Sequence, residues 1–155
     1  MHHHGYAWLG SGLDQVRDGV RRADHPEFPS SPYPPLELAH WLLKPDGFVR
    51  GTWAEPKEAA AWFADQVRAH APAFTQEHDR DVPEKRIIAA VDAAAGGEDV
   101  AGGWWLTGRR FLGVYLIACT PHRFRPDCPC PSPPSAWSAF LVEDHLRVLG
   151  GRAVQ

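Results

Sequence analysis

The chain has 155 residues, 44% of them hydrophobic and 23% charged, and its formal net charge at pH 7 is −3. This length is typical of a single domain, and the composition excludes disordered, collagen-like and coiled-coil chains. The small negative charge also excludes a protein that binds polyanions over its whole surface. Arginine outnumbers lysine by 13 to 3, which indicates the codon bias of a GC-rich genome rather than contact with nucleic acid.

The chain begins with three consecutive histidines, His2, His3 and His4. They are typical of a tag remnant or a frayed end, and we predict that residues 1–12 are flexible. The alternative is a square-planar copper or nickel site, made by the terminal amine, two backbone amides and the His3 imidazole. Such a site forms on any unstructured chain, so it would carry no information about function.

The first part of the domain is predicted to hold two helices, a connector and a strand. Residues 13–24 place apolar side chains on one helical stripe. Five prolines predict that residues 25–35 form an extended, irregular connector. Residues 36–43 favour a helix, with a hairpin as the alternative, and residues 48–53 favour a strand.

Two amphipathic helices are predicted next. Residues 56–70 begin with a proline and carry apolar residues along one face. Residues 83–95 repeat the pattern, with Asp81 as the expected capping residue. Residues 77–81, between the two helices, are predicted to be a solvated loop.

The last part of the chain favours a hairpin and one more helix. Residues 102–106 and 109–120 predict a β-hairpin whose second strand lies at the centre of a sheet. Six prolines predict that residues 121–135 are irregular, and residues 135–149 predict a final helix. A loose tail is expected over residues 150–155.

These elements predict an α+β fold with a single domain over residues 13–149. We expect a small sheet of three to four mainly antiparallel strands, covered by three to five helices. The longest apolar run, residues 111–119, is too short for a membrane helix, and the N-terminus lacks the pattern of a secretory signal. We therefore expect a cytoplasmic protein whose cysteines stay reduced.

All three cysteines lie in one proline-rich stretch together with a histidine. The spacing is C-x2-H-x5-C-x-C, and the residues are Cys119, His122, Cys128 and Cys130. Cysteine and histidine are the ligands of structural zinc, and three cysteines with one histidine are a common set. A metal would order a segment that cannot form regular backbone hydrogen bonds. The sequence thus predicts a zinc site here, with inert thiols as the alternative.

A second alternative makes Cys119 a nucleophile at the end of its strand. Nearby cationic side chains would lower the pKa of the thiol and favour the thiolate. His122 or His145 would act as the base, oriented by Glu143 or Asp144. In this interpretation the protein is a small enzyme.

Arginines and tryptophans near the cysteines predict a contact surface for an anionic or protein partner. Residues 104–155 carry six arginines against three acidic residues. The surface would consist of Trp104, Trp105, Arg109, Arg110, Arg123 and Arg125. Glycine-rich phosphate-binding motifs are absent, so no nucleotide cofactor is expected.

The sequence therefore favours a cytoplasmic binding or regulatory module. Its metal site would order the proline-rich segment beside the arginine and tryptophan surface. The alternatives are the cysteine enzyme and an accessory subunit without chemistry of its own. A protein or nucleic-acid partner fits the first interpretation.

Overall fold

The computed structural model describes residues 1–119 and 121–131. The predicted final helix at 135–149, the tail at 150–155 and His145 lie outside the described residues. The predicted irregular segment is described as far as residue 131, and it has no helix or strand there.

The described residues form one four-stranded antiparallel sheet with helices packed against it. The strands are β1 (His2–Ser11), β2 (Gly51–Trp53), β3 (Val100–Leu106) and β4 (Arg110–Cys119), in the spatial order β2-β1-β4-β3. This arrangement confirms the predicted α+β class. The predicted hairpin is the β3–β4 pair, in which Gly108 takes the positive φ of 80° that the turn requires.

Strand β1 is the largest difference from the sequence prediction. Residues predicted to be flexible instead pair with β4 over ten residue pairs, from His2 opposite Cys119 to Ser11 opposite Arg110. His3 is fully paired in this strand, so the backbone amides needed for a square-planar copper site belong to the sheet. The three histidines are buried and are part of the core.

Four α-helices are described: α1 (Gly12–Gln15), α2 (Pro56–His70), α3 (Glu77–Asp81) and α4 (Glu84–Ala95). Helix α2 has the predicted bounds and α4 begins one residue later than predicted. Residues 77–81 form α3 rather than a loop. Asp81 is the last residue of that helix, and Pro83 is the residue that precedes α4.

The predicted helix at 13–24 is reduced to α1 and a 3₁₀ turn at Gly19–Arg21. Leu13 and Val16 are exposed, at 79% and 66%. Short helices gain most of their stability from burying an apolar face. Because these apolar side chains are not buried, packing does not stabilise a longer helix here. The other 3₁₀ turns are Leu38–Leu43, Asp46–Phe48 and Ala71–Ala73.

The sheet is covered on both faces, and alternation along the strands decides which side chains reach each one. Helices α2 and α4 cover one face, where Phe63 and Val67 pack against Trp104 and Val114. The other face carries the even-numbered residues of β1 and the odd-numbered residues of β4. It is covered by the 3₁₀ turn at Leu38–Leu43 and by the segment that follows β4.

Candidate metal centre

Four metal-ligating side chains converge at the end of the sheet where β1 begins and β4 ends. They are His2, His4, Cys119 and Cys130, and their ligand atoms all lie within 4.8 Å of one another. His2 and Cys119 are direct partners in the β1–β4 register. Because side chains alternate along a strand, His4 shares the face of His2. Cys130 approaches from the proline-rich segment.

The distances within this group are close to those of a tetrahedral metal site. The Nε2 atoms of His2 and His4 are 3.0 Å apart, and the Cys130 sulfur lies 3.4 Å from the first and 3.3 Å from the second. Zinc bonds of ~2.0–2.1 Å to nitrogen and ~2.3 Å to sulfur imply tetrahedron edges of ~3.3–3.8 Å. An expansion of a few tenths of an ångström would admit the ion.

A hydrogen bond outside the group orients one of its histidines. The Nδ1 atom of His4 lies 2.9 Å from the Thr52 hydroxyl, on the neighbouring strand β2. A ligating histidine usually donates its second ring N–H to such a partner, which fixes the tautomer that presents the other nitrogen to the metal. Thr52 thus holds His4 with Nε2 directed at the cluster.

Burial favours the neutral imidazole forms that bind metals. His2, His4 and Cys119 are 4%, 0% and 2% exposed. Desolvation lowers the pKa of His4 to about 4 and also lowers the pKa of His2. Both rings are therefore neutral at pH 7, as ligation requires.

The same burial raises the pKa of the Cys119 thiol to about 12, and its contact with Cys130 adds to the effect. A nucleophile needs the opposite shift, toward the thiolate at neutral pH. A metal cation deprotonates a coordinating thiol outright. The surroundings of Cys119 therefore suit a metal ligand better than a nucleophile.

His122 lies outside this group. It was predicted as a ligand and, alternatively, as a catalytic base, but both of its ring nitrogens already have hydrogen-bond partners. Its Nε2 is 2.7 Å from Asp99 Oδ2, and its Nδ1 accepts from the backbone N–H groups of Phe124 and Arg125, each at 3.2 Å. Asp99 also accepts from the Ala118 N–H at 2.8 Å. His122 thus anchors the proline-rich segment to the sheet without a metal.

Cys128 was also predicted from spacing to be a ligand, and it too lies outside the group. It is 6% exposed and packs in the apolar cluster that contains Tyr6, Trp41 and Ile117. Its backbone N–H closes a turn on the Arg125 carbonyl. Of the four predicted ligands, the structure brings together Cys119 and Cys130.

The predicted arginine and tryptophan surface is divided between the two ends of β4. Arg109 and Arg110 lie at the hairpin end, beside Trp105, which is 45% exposed. Arg123 and Arg125 follow the other end of the strand.

Two members of the predicted surface are already engaged. Arg125 makes two hydrogen bonds to the Glu37 carboxylate, at 2.5 and 3.0 Å. Trp104 is buried in the core that faces the helices, where its ring stacks on that of Phe74 with the ring centroids 5.2 Å apart. The structure thus does not bring the six residues together in one surface.

His2 and His4 were not predicted from the sequence as members of this candidate site. Their H-x-H spacing places both rings on one face if the segment is a strand, and this is the signal that could have found them. Nothing in the spacing indicates that they meet cysteines more than a hundred residues away.

Comparisons with protein-family models, with curated proteins and with solved structures found no match to this chain. Over residues 1–119 and 121–131, none of the helices combines the length and apolar character needed to cross a membrane. The candidate function therefore depends on the geometry of the site.

Proposed function

We propose that this chain is a metal-binding module in which His2, His4, Cys119 and Cys130 hold one transition-metal cation. The observation that carries the proposal is the convergence of four ligand atoms within 4.8 Å. Two imidazoles and two thiolates are a common ligand set for structural zinc, and zinc is the cation that we assign.

Burial supports a structural role for the metal rather than a catalytic one. Three ligands are almost fully buried and the fourth, Cys130, is partly exposed. Four protein ligands close the coordination sphere, whereas a catalytic zinc keeps one position for water or substrate. The ion would tie the end of the proline-rich segment to strands β1 and β4.

The anchored segment supplies the surface for a partner in this proposal. Phe124 is 79% exposed and the neighbouring Arg123 is also exposed. His122 and Cys130 hold the segment on either side of them. A protein or nucleic-acid partner would contact the exposed side chains of Arg123 and Phe124. The reduced thiols of the site suit the cytoplasm, where we place the protein.

The test is the metal content of the untagged protein, purified without chelator and measured by mass spectrometry after reconstitution with zinc. We expect about one zinc per chain, lost in Cys130→Ser and in His4→Ala. Cys128→Ser is the matched control, since it removes a thiol of the same segment outside the group, and it should keep the metal. Unaltered protein that takes up no zinc, or Cys130→Ser that binds it as tightly, would overturn the proposal.

A further inference from the structure

Tyr6 carries a buried hydroxyl without a partner on the same sheet face as the candidate metal centre. Its side chain is 0% exposed, two residues after His4 on β1, and its ring stacks on Trp41 with centroids 4.7 Å apart. Within the described part of the chain, the hydroxyl has no hydrogen-bond partner. A buried hydroxyl left unpaired destabilises the folded protein, because no hydrogen bond compensates for the water that it has lost.

The candidate acceptors are the sulfur atoms of the site. Tyr6 and Cys119 belong to the same buried cluster, and Cys130 packs against it. A neutral thiol accepts hydrogen bonds weakly, whereas an ionised acceptor makes a bond about twice as strong as a neutral one.

We infer that the Tyr6 hydroxyl donates a hydrogen bond to a metal-bound thiolate of the site. The inference rests on the proposed function, because the sulfurs become strong acceptors only when a metal deprotonates them. Tyr6 would then be a positioning residue for sulfur, as Thr52 is for the His4 ring. Groups in this outer position typically change metal affinity 10–100-fold.

The inference predicts effects of opposite sign in the metal-free and metal-loaded protein. Tyr6→Phe removes the hydroxyl and keeps the ring that stacks on Trp41. Without metal, the variant should unfold at a higher urea concentration than the unaltered protein, because it no longer buries an unpaired hydroxyl. With metal, it should bind Zn²⁺ about 10–100-fold more weakly.

The experiment uses the full chain, with Zn²⁺ affinity from chelator competition and with Co²⁺ as a spectroscopic probe. Loss of a hydrogen bond to sulfur should shift the sulfur-to-cobalt charge-transfer band in Tyr6→Phe. Tyr115→Phe is the matched control, since Tyr115 is the register partner of Tyr6 on β4 and its hydroxyl is not among the unpaired groups. It should leave affinity and spectrum unchanged.

The outcomes separate this inference from the proposed function. If the unaltered protein binds neither Zn²⁺ nor Co²⁺, the proposed function fails and the role of Tyr6 falls with it. If the unaltered protein binds metal and Tyr6→Phe has the same affinity and spectrum, only the role of Tyr6 is overturned. Weaker binding together with a less stable metal-free variant would indicate lost ring packing and would also overturn it.

Discussion

The Asp99–His122 pair should respond strongly to a substitution that preserves its shape. Asp99→Asn changes one acceptor oxygen into an amide group that donates. The carboxylate accepts from the Ala118 N–H at 2.8 Å and lies 2.7 Å from His122 Nε2. The side chains of Asp99 and His122 are 16% and 4% exposed, so water cannot easily replace a lost bond.

The histidine cannot compensate by changing its tautomer. If Nε2 gives up its proton to accept from the new amide, Nδ1 must carry it. That nitrogen already faces two donors, the N–H groups of Phe124 and Arg125. At least one donor therefore stays unpaired in either tautomer. A hydrogen bond to a charged group contributes ~1.5–3 kcal/mol, and we expect Asp99→Asn to lower the free energy of unfolding by about 2–3 kcal/mol.

Urea unfolding followed by tryptophan fluorescence measures this effect, and Glu98→Gln is the matched control. Glu98 is the adjacent acid and is exposed, so its neutralisation should change stability by no more than ~0.5 kcal/mol. In a His122→Ala background, Asp99→Asn should lose most of its effect. Equal stabilities of Asp99→Asn and Glu98→Gln would refute the reasoning. Because the pair anchors the segment that carries Cys130, Asp99→Asn should also weaken metal binding.

Two further predictions concern the core. Burial lowers the pKa of Lys44 from 10.5 to about 8 in the folded protein. Between these two pH values the unfolded chain binds more protons than the folded protein, so the free energy of unfolding rises with pH. Urea unfolding should show the unaltered protein gaining up to ~3 kcal/mol relative to Lys44→Met across this range; a constant difference would contradict the shift. Phe63→Ala, at a site 2% exposed, should lower the free energy of unfolding by ~3–5 kcal/mol. Phe124 is 79% exposed, so Phe124→Ala should change the free energy of unfolding by less than ~0.5 kcal/mol. Similar losses of stability in the two variants would contradict the placement of Phe63 in the core.

The sequence predicted the elements whose local pattern agrees with their tertiary surroundings. Helix α2 begins at Pro56 as predicted, because a proline at the first helical position and a continuous apolar face indicate the same element. The β3–β4 hairpin was predicted from a glycine turn between two apolar runs. In both cases the information lies within one short, continuous stretch of sequence.

Strand β1 was missed because its signal is tertiary. Three histidines and a glycine have little preference for a strand, and the segment gains its order from pairing with β4 and from burial. The candidate site was predicted only in part, because two of its four members lie on this strand. Spacing identified Cys119 and Cys130, but it could not show that Asp99 engages His122 or that β1 brings His2 and His4 to the sulfurs.

The β1–β4 pairing also sets the order of events when the chain folds. During synthesis the first strand leaves the ribosome about a hundred residues before its partner, and the sheet centre cannot close until β4 follows. Contacts this distant in sequence make folding slow, because a long loop must be ordered first. The proposed ligands come from the same distant segments, so a metal ion could not nucleate the fold as it does in small zinc domains with closely spaced ligands. In our proposal the polypeptide assembles the site first, and the ion would enter a protein that has already folded.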